Sequence, residues 1–117
     1  PNNALAYNNL AWVTGQLKKD GAIAYAEKAL ALVPGQPAYM DTLAMLLLDK
    51  NDLAKALEWQ TKAVGLQPDN SVFKLNLARI HIKNGNKDQA RKELDELAKL
   101  GDKFGGQAQV AELRKSL

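Results

Sequence analysis

Few side chains in this sequence could make or break bonds. A nucleophile needs a base within hydrogen-bond reach, and the chain has one histidine, His81, no cysteine and two serines, Ser71 and Ser116. His81 falls inside a helically patterned stretch, in a column expected to pack within a hairpin. The serines fall at helix ends, distant from it in sequence. The carboxylates Glu93, Asp95 and Glu96 lie among Arg91, Lys92 and Lys99, which reads as a solvated, salt-bridged face. A single histidine with flexible surface carboxylates is a poor metal set. Gly105-Gly106 lacks phosphate-loop spacing, and Asp69-Asn70 reads as a helix-start turn. The chemistry therefore points to a non-enzyme with no cofactor and no metal.

Composition narrows the class further. The 117 residues suit one domain, with 46% apolar residues to build a core and 25% charged residues at its surface. The net charge of +3 is mild. Lys74, Arg79, Lys83, Lys87, Arg91 and Lys92 point around two helices and make no single stripe. Aromatic rings are not interleaved with them as stacking platforms, so nucleic acid is not the expected partner. No stretch approaches the roughly 18 apolar residues of a membrane span, so the segment is not expected to insert. The chain starts at Pro1 without an initiator Met and reads as a piece of something longer.

What must position any site is a repeat. Ala22, Ala56 and Ala90 recur at intervals of 34, as do Ala29, Ala63 and Leu97. Pro34 and Pro68 keep that spacing, with Asp102 in the third place. Leu10-Ala11, Leu43-Ala44 and Leu77-Ala78 recur at 33 and 34. Small residues in fixed columns at this period signal a helix–turn–helix repeat. The expected repeats cover about 3–34, 35–68 and 69–102, within a single domain over 1–117. Their first helices lie near 3–16, 37–50 and 70–83, and their second near 20–33, 52–66 and 87–100.

Local chemistry sets the ends. Pro37 suits a first helical turn. Asn51 and Gly85 stand where a left-handed residue is wanted. Asp52 is expected to cap the next helix, and Asn86 with Gln89 resembles a capping box. Pro34 and Pro68 stop the second helices. Ala11, Ala44 and Ala78 can then meet Ala22, Ala56 and Ala90 at close approach, with Leu10, Leu43, Leu77, Tyr39 and Phe73 filling the remaining space. After Gly105-Gly106, residues 107–116 read as a capping helix with Val110, Leu113 and Leu117 on one face.

These columns resemble the tetratricopeptide repeat family over roughly residues 1–102, best over 37–68. The resemblance implies an all-α solenoid of three such repeats plus a C-terminal capping helix, taken from the end of a longer array. Departures are Met40 and Lys74 in an aromatic column, a one-residue deletion in the Lys18-Lys19-Asp20-Gly21 turn, and Leu97 and Asp102 in repeat three. Asn8-Asn9-Leu10-Ala11-Trp12, Ala26-Glu27-Lys28-Ala29-Leu30 and Asp41-Thr42-Leu43-Ala44 are similar to bacterial repeat lipoproteins of PEP-CTERM/exosortase sorting systems. That second resemblance implies a bacterial envelope setting.

In the repeat family the first helices line a concave groove. At helical spacing, the groove residues should be Asn8, Trp12, Asp41, Met45, Leu48, Leu75, Arg79 and Lys83, with Leu5 and Ile82 at the margins. The family's clamp for a terminal carboxylate is absent, since the matching columns hold Asn8, Trp12, Thr42, Val72 and Asn76. The expected function is a protein–protein scaffold that docks a partner peptide or helix in the groove. The alternative is a spacer or self-association element with no groove ligand. At the N-terminal edge Pro1-Asn2-Asn3 reads as the end of a removed repeat. Leu5, Tyr7 and Leu17 would then form a partly open patch that supports a weak homodimer.

Overall fold

The computed structural model describes residues 3–117; Pro1 and Asn2, which belong to the reading of the N-terminal edge, lie outside them. The described residues form α1 (Ala4–Gln16), α2 (Ala22–Leu32), α3 (Pro37–Asp49), α4 (Leu53–Leu66), α5 (Ser71–Lys83), α6 (Lys87–Ala98), a 3-10 turn (Gly101–Lys103) and α7 (Gln107–Lys115). Each helix packs mainly on its neighbours in sequence, so α1–α2, α3–α4 and α5–α6 are hairpins stacked in order, with α7 against α6. The result is an elongated all-α solenoid of 42 × 26 × 22 Å with a final helix.

The small columns do what their size allows. Ala11, Ala44 and Ala78 are fully buried, and Ala22, Ala56 and Ala90 on the paired helices are also buried. A Cβ on Gly15 of α1 would strike the Leu46 side chain of α3, so the glycine lets the two helices approach closely. Two apolar clusters follow. One runs through hairpins one and two and reaches Phe73 and Ile80. The other joins Leu75, Ala78, Leu94 and Leu97 to Phe104 and Val110.

The turns between paired helices each place one residue in the left-handed region: Lys18 at φ 56°, Asn51 at 65° and Gly85 at 82°. The shortened first turn needs a second, Gly21 at φ 97°. Capping differs from the expected pattern. Asn3 accepts from the Ala6 N–H at 3.1 Å and Asn70 from the Phe73 N–H at 3.0 Å. Gln36 accepts from the Ala38 N–H at 3.4 Å. Asp52 and Asn86 make no side-chain cap bond. Their own N–H groups instead donate back across the turn, to Leu47 O at 2.9 Å and His81 O at 2.8 Å. This sets ψ at 74° and 65°, short of the extended value at which a side chain swings over the first turn. Gln89 reaches Glu93 and closes no capping box.

Leu10 is the main packing surprise. Its counterpart Leu43 is buried and Leu77 half-buried, yet Leu10 is 47% exposed. α3 and α5 are each covered by a preceding helix, α2 and α4; among the described residues nothing covers that side of α1.

Candidate functional site

The concave side holds an open cleft of about 470 Å³ between α1, α3 and α5, within the range of ligand sites. Trp12, Asp41, Met45, Leu48 and Arg79 all line it, five of the residues expected from sequence. Gly15, Gln16, Thr42, Leu46, Asp49, Val72 and Asn76 complete the wall. Trp12 is 58% exposed and Val72 53%, so large apolar surface is offered to solvent from opposite sides. Leu46 and Leu48 are buried and close the floor.

Three expected residues do not join them. Leu75 is buried in the cluster with Leu94, Phe104 and Val110, because the 3-10 turn and α7 cover the face of α5 that α3 leaves open. Lys83 is exposed in the last turn of α5, outside the cleft wall. Asn8 is half-buried, and its Oδ1 is enclosed without a partner. Tyr7, expected in the open N-terminal patch, instead stacks on Tyr25 at 6.3 Å between ring centroids, with the Lys28 ammonium over its ring.

Asp41 is the unusual member. It projects from α3 between α4 and α5, where Oδ1 accepts from Gln60 Nε2 at 2.8 Å and from Asn76 Nδ2 at 2.9 Å. Gln60 is fully buried and also donates to Phe73 O at 2.9 Å, so one side chain of α4 ties α3 to α5. Burial pushes the Asp41 carboxyl above the usual carboxylate range, against the hydrogen bonds from Asn76 and Gln60 that pull it down. Asp41 was legible in the sequence and Gln60 was not. A signal existed: Gln60 occupies the column of Ala26 and Leu94, both fully buried, where a polar side chain must have internal partners.

His81 has a partner that its sequence position did not reveal. Its Nδ1 lies 2.8 Å from Glu93 Oε1, joining α5 to α6 with both side chains nearly buried. Glu93 is thus an internal brace, correcting its reading as part of a solvated face. Asp95 stays half-exposed and salt-bridged, as expected, with Arg114 of α7 as its partner at 3.1 Å. Among the described residues neither Ser71 nor Ser116 hydrogen-bonds to His81; Ser116 Oγ donates to Leu113 O at 2.6 Å. Among the described residues no group of three His, Asp or Glu side chains could hold a metal ion. No helix there is long and apolar enough to cross a membrane.

None of the curated proteins matches this chain. Among solved structures, a point mutant of MamA superposes with a TM-score of 0.74 at 19% identity, covering 87% of this chain and 75% of that one. Yeast Tom70 superposes with a TM-score of 0.75 at 31% identity, covering 97% of this chain. The chain spans 23% of the Tom70 chain's length. Solenoids of this kind present extended concave surfaces to partners, and fold and family together support a protein-binding scaffold. The tetratricopeptide repeat family matches residues 47–117, more than half of the sequence, and the chain belongs to that family.

Proposed function

We propose that the cleft between α1, α3 and α5 docks a segment of a partner protein, and that the chain acts as a non-catalytic scaffold. The observation that carries this is the pairing of exposed Trp12 and Val72 in one cleft with Met45, Leu46 and Leu48, edged by Asp41, Asp49 and Arg79. An apolar surface with a few converging polar groups suits a peptide side chain better than bulk water. A photo-crosslinking residue at Val72 should capture a protein partner, whereas the same residue at Glu58, exposed on α4, should not. Met45→Arg should abolish the capture. Capture from Glu58 alone, or insensitivity to Met45→Arg, would place the partner elsewhere.

The envelope setting rests on the strings around Asn8–Trp12 and Asp41–Ala44. Fractionation of a bacterial cell expressing the native gene tests it, and recovery of the protein in the cytosol would remove it.

A second reading is favoured by α1. Leu10, Val13 and Leu17 form a stripe at helical spacing, 47, 50 and 60% exposed, in columns that Leu43 and Leu46 show buried on α3. We propose a second copy of the chain as its occupant, giving weak self-association. Sedimentation should show mass rising with concentration and Leu10→Lys removing the rise; a monomer throughout would exclude this reading.

A further inference from the structure

We infer that Asp41 anchors a basic side chain, lysine or arginine, on the protein segment that the cleft takes. This rests on the cleft reading above and adds its specificity. The two oxygens of Asp41 are used unequally. Both internal donors, Gln60 Nε2 and Asn76 Nδ2, bond to Oδ1. Oδ2 has no protein partner and is not among the enclosed, unpartnered atoms, which are Asn8 Oδ1 and Gln60 Oε1 among the described residues. One oxygen builds the junction; the other is not enclosed, and Asp41 is part of the cleft wall.

The fold does not call for a charge there. A side-chain amide has one oxygen that could accept both bonds without the desolvation cost of a carboxylate. The chain itself demonstrates an apolar solution. Leu75 and Leu94 stand 34 positions after Asp41 and Gln60, and both are buried in a continuous cluster. A carboxylate kept where apolar side chains serve one repeat later needs another use, and Asp41 lines a cleft.

The surroundings select the ligand's charge. Asp41, Asp49 and Arg79 line the cleft, and among the described residues none of them joins an ion pair. The remaining wall, from Gln16, Gly15 and Trp12 on α1 to Asn76 and Val72 on α5, is neutral, as is Gln60 behind Asp41. Carboxylates therefore outnumber cations. Trp12, Met45 and Val72 offer apolar surface to the aliphatic stem of a lysine or arginine, whose head would reach Oδ2. Partial desolvation strengthens such a charge-assisted bond. The raised carboxyl of Asp41 fits, because a docked cation would relieve the burial penalty.

A random peptide library selected on the full chain supplies the probes. Cleft binders, identified by loss of binding to Met45→Arg, should carry Lys or Arg beside an apolar residue. Replacing that Lys by norleucine should weaken binding about tenfold, the size of one charge-assisted hydrogen bond. Asp41→Asn should give the same loss, with norleucine then adding little. Cleft binders lacking a basic residue, or indifferent to Asp41→Asn, would overturn the anchor and leave the cleft reading standing. Selection yielding no binder sensitive to Met45→Arg would overturn both. A measurement on the unaltered chain stands apart from any folding defect of the variant. The preference for Lys over norleucine should shrink as pH falls through the titration of Asp41, and a preference constant into acid would also overturn the anchor.

Discussion

Between hairpins two and three, Asp41 of α3 takes hydrogen bonds from Gln60 of α4 and Asn76 of α5. One repeat further on, the columns of Asp41 and Gln60 hold Leu75 and Leu94, which pack with Leu97, Phe104 and Val110. The backbone scaffold is the same, a first helix held against its paired helix and against the next element. The apolar junction is closed, since burial of leucine is favourable only when water is excluded. The polar junction satisfies its donors and leaves a carboxylate oxygen and a cleft open. Desolvation makes such a junction a weak source of stability. The same two columns therefore give a closed apolar contact in repeat three and an open, hydrogen-bonded one between repeats two and three.

The largest effect should come from importing the polar chemistry without its partners. Leu75→Asp would place a carboxylate among Leu94, Leu97 and Phe104, costing about 3–5 kcal/mol, because no donor or cation waits there. The urea midpoint reads this directly, and a near-neutral result would mean the apolar junction is wetter than described. Gln60→Leu attacks the polar junction. It would strip Phe73 O of a donor and Asp41 of one of two, costing about 1–3 kcal/mol. Adding Asp41→Leu should recover part of that loss, since it removes a partly buried carboxylate left with Asn76 as its one donor. Strict additivity of the two substitutions would show that the residues do not act together.

The smallest effect is a pH dependence. The Asp41 carboxyl is raised in the fold above its ordinary 3.8 by burial. The folded state therefore binds its proton more tightly than the unfolded chain does. Stability from this group is present below the unfolded value and is lost as pH rises through the folded one. Asp41→Asn should remove that slope, so the variant gains on the unaltered chain as pH rises from the acid side. Thermal midpoints across that range would show parallel curves if Asp41 were freely solvated.

Much of the fold was legible because it is written in short-range rules. Small residues in Ala11, Ala44 and Ala78 announce close helix contact. Asn51 and Gly85 announce left-handed turns, whose geometry depends only on the local backbone. Five of the cleft residues followed from helical spacing on the first helices, which the family resemblance implied line the groove. Leu75 did not, because its exposure depends on the 3-10 turn and α7. The Asp52 and Asn86 caps failed for a related reason: cross-turn hydrogen bonds took the backbone out of capping geometry.

The sequence by itself determined an all-helical repeat, its hairpin turns and the columns that must be small. Those features arise from period, size and backbone preference, which are properties of residues a turn or two apart. Tertiary structure decided which members of a column meet water. Leu10 and Leu43 share a register, yet one lies open and the other is covered by α2. It also chose the partners: Glu93 for His81, Arg114 for Asp95, and Gln60 with Asn76 for Asp41. Coverage and pairing depend on what a neighbouring helix brings to the same place, and a period along the chain carries no record of that.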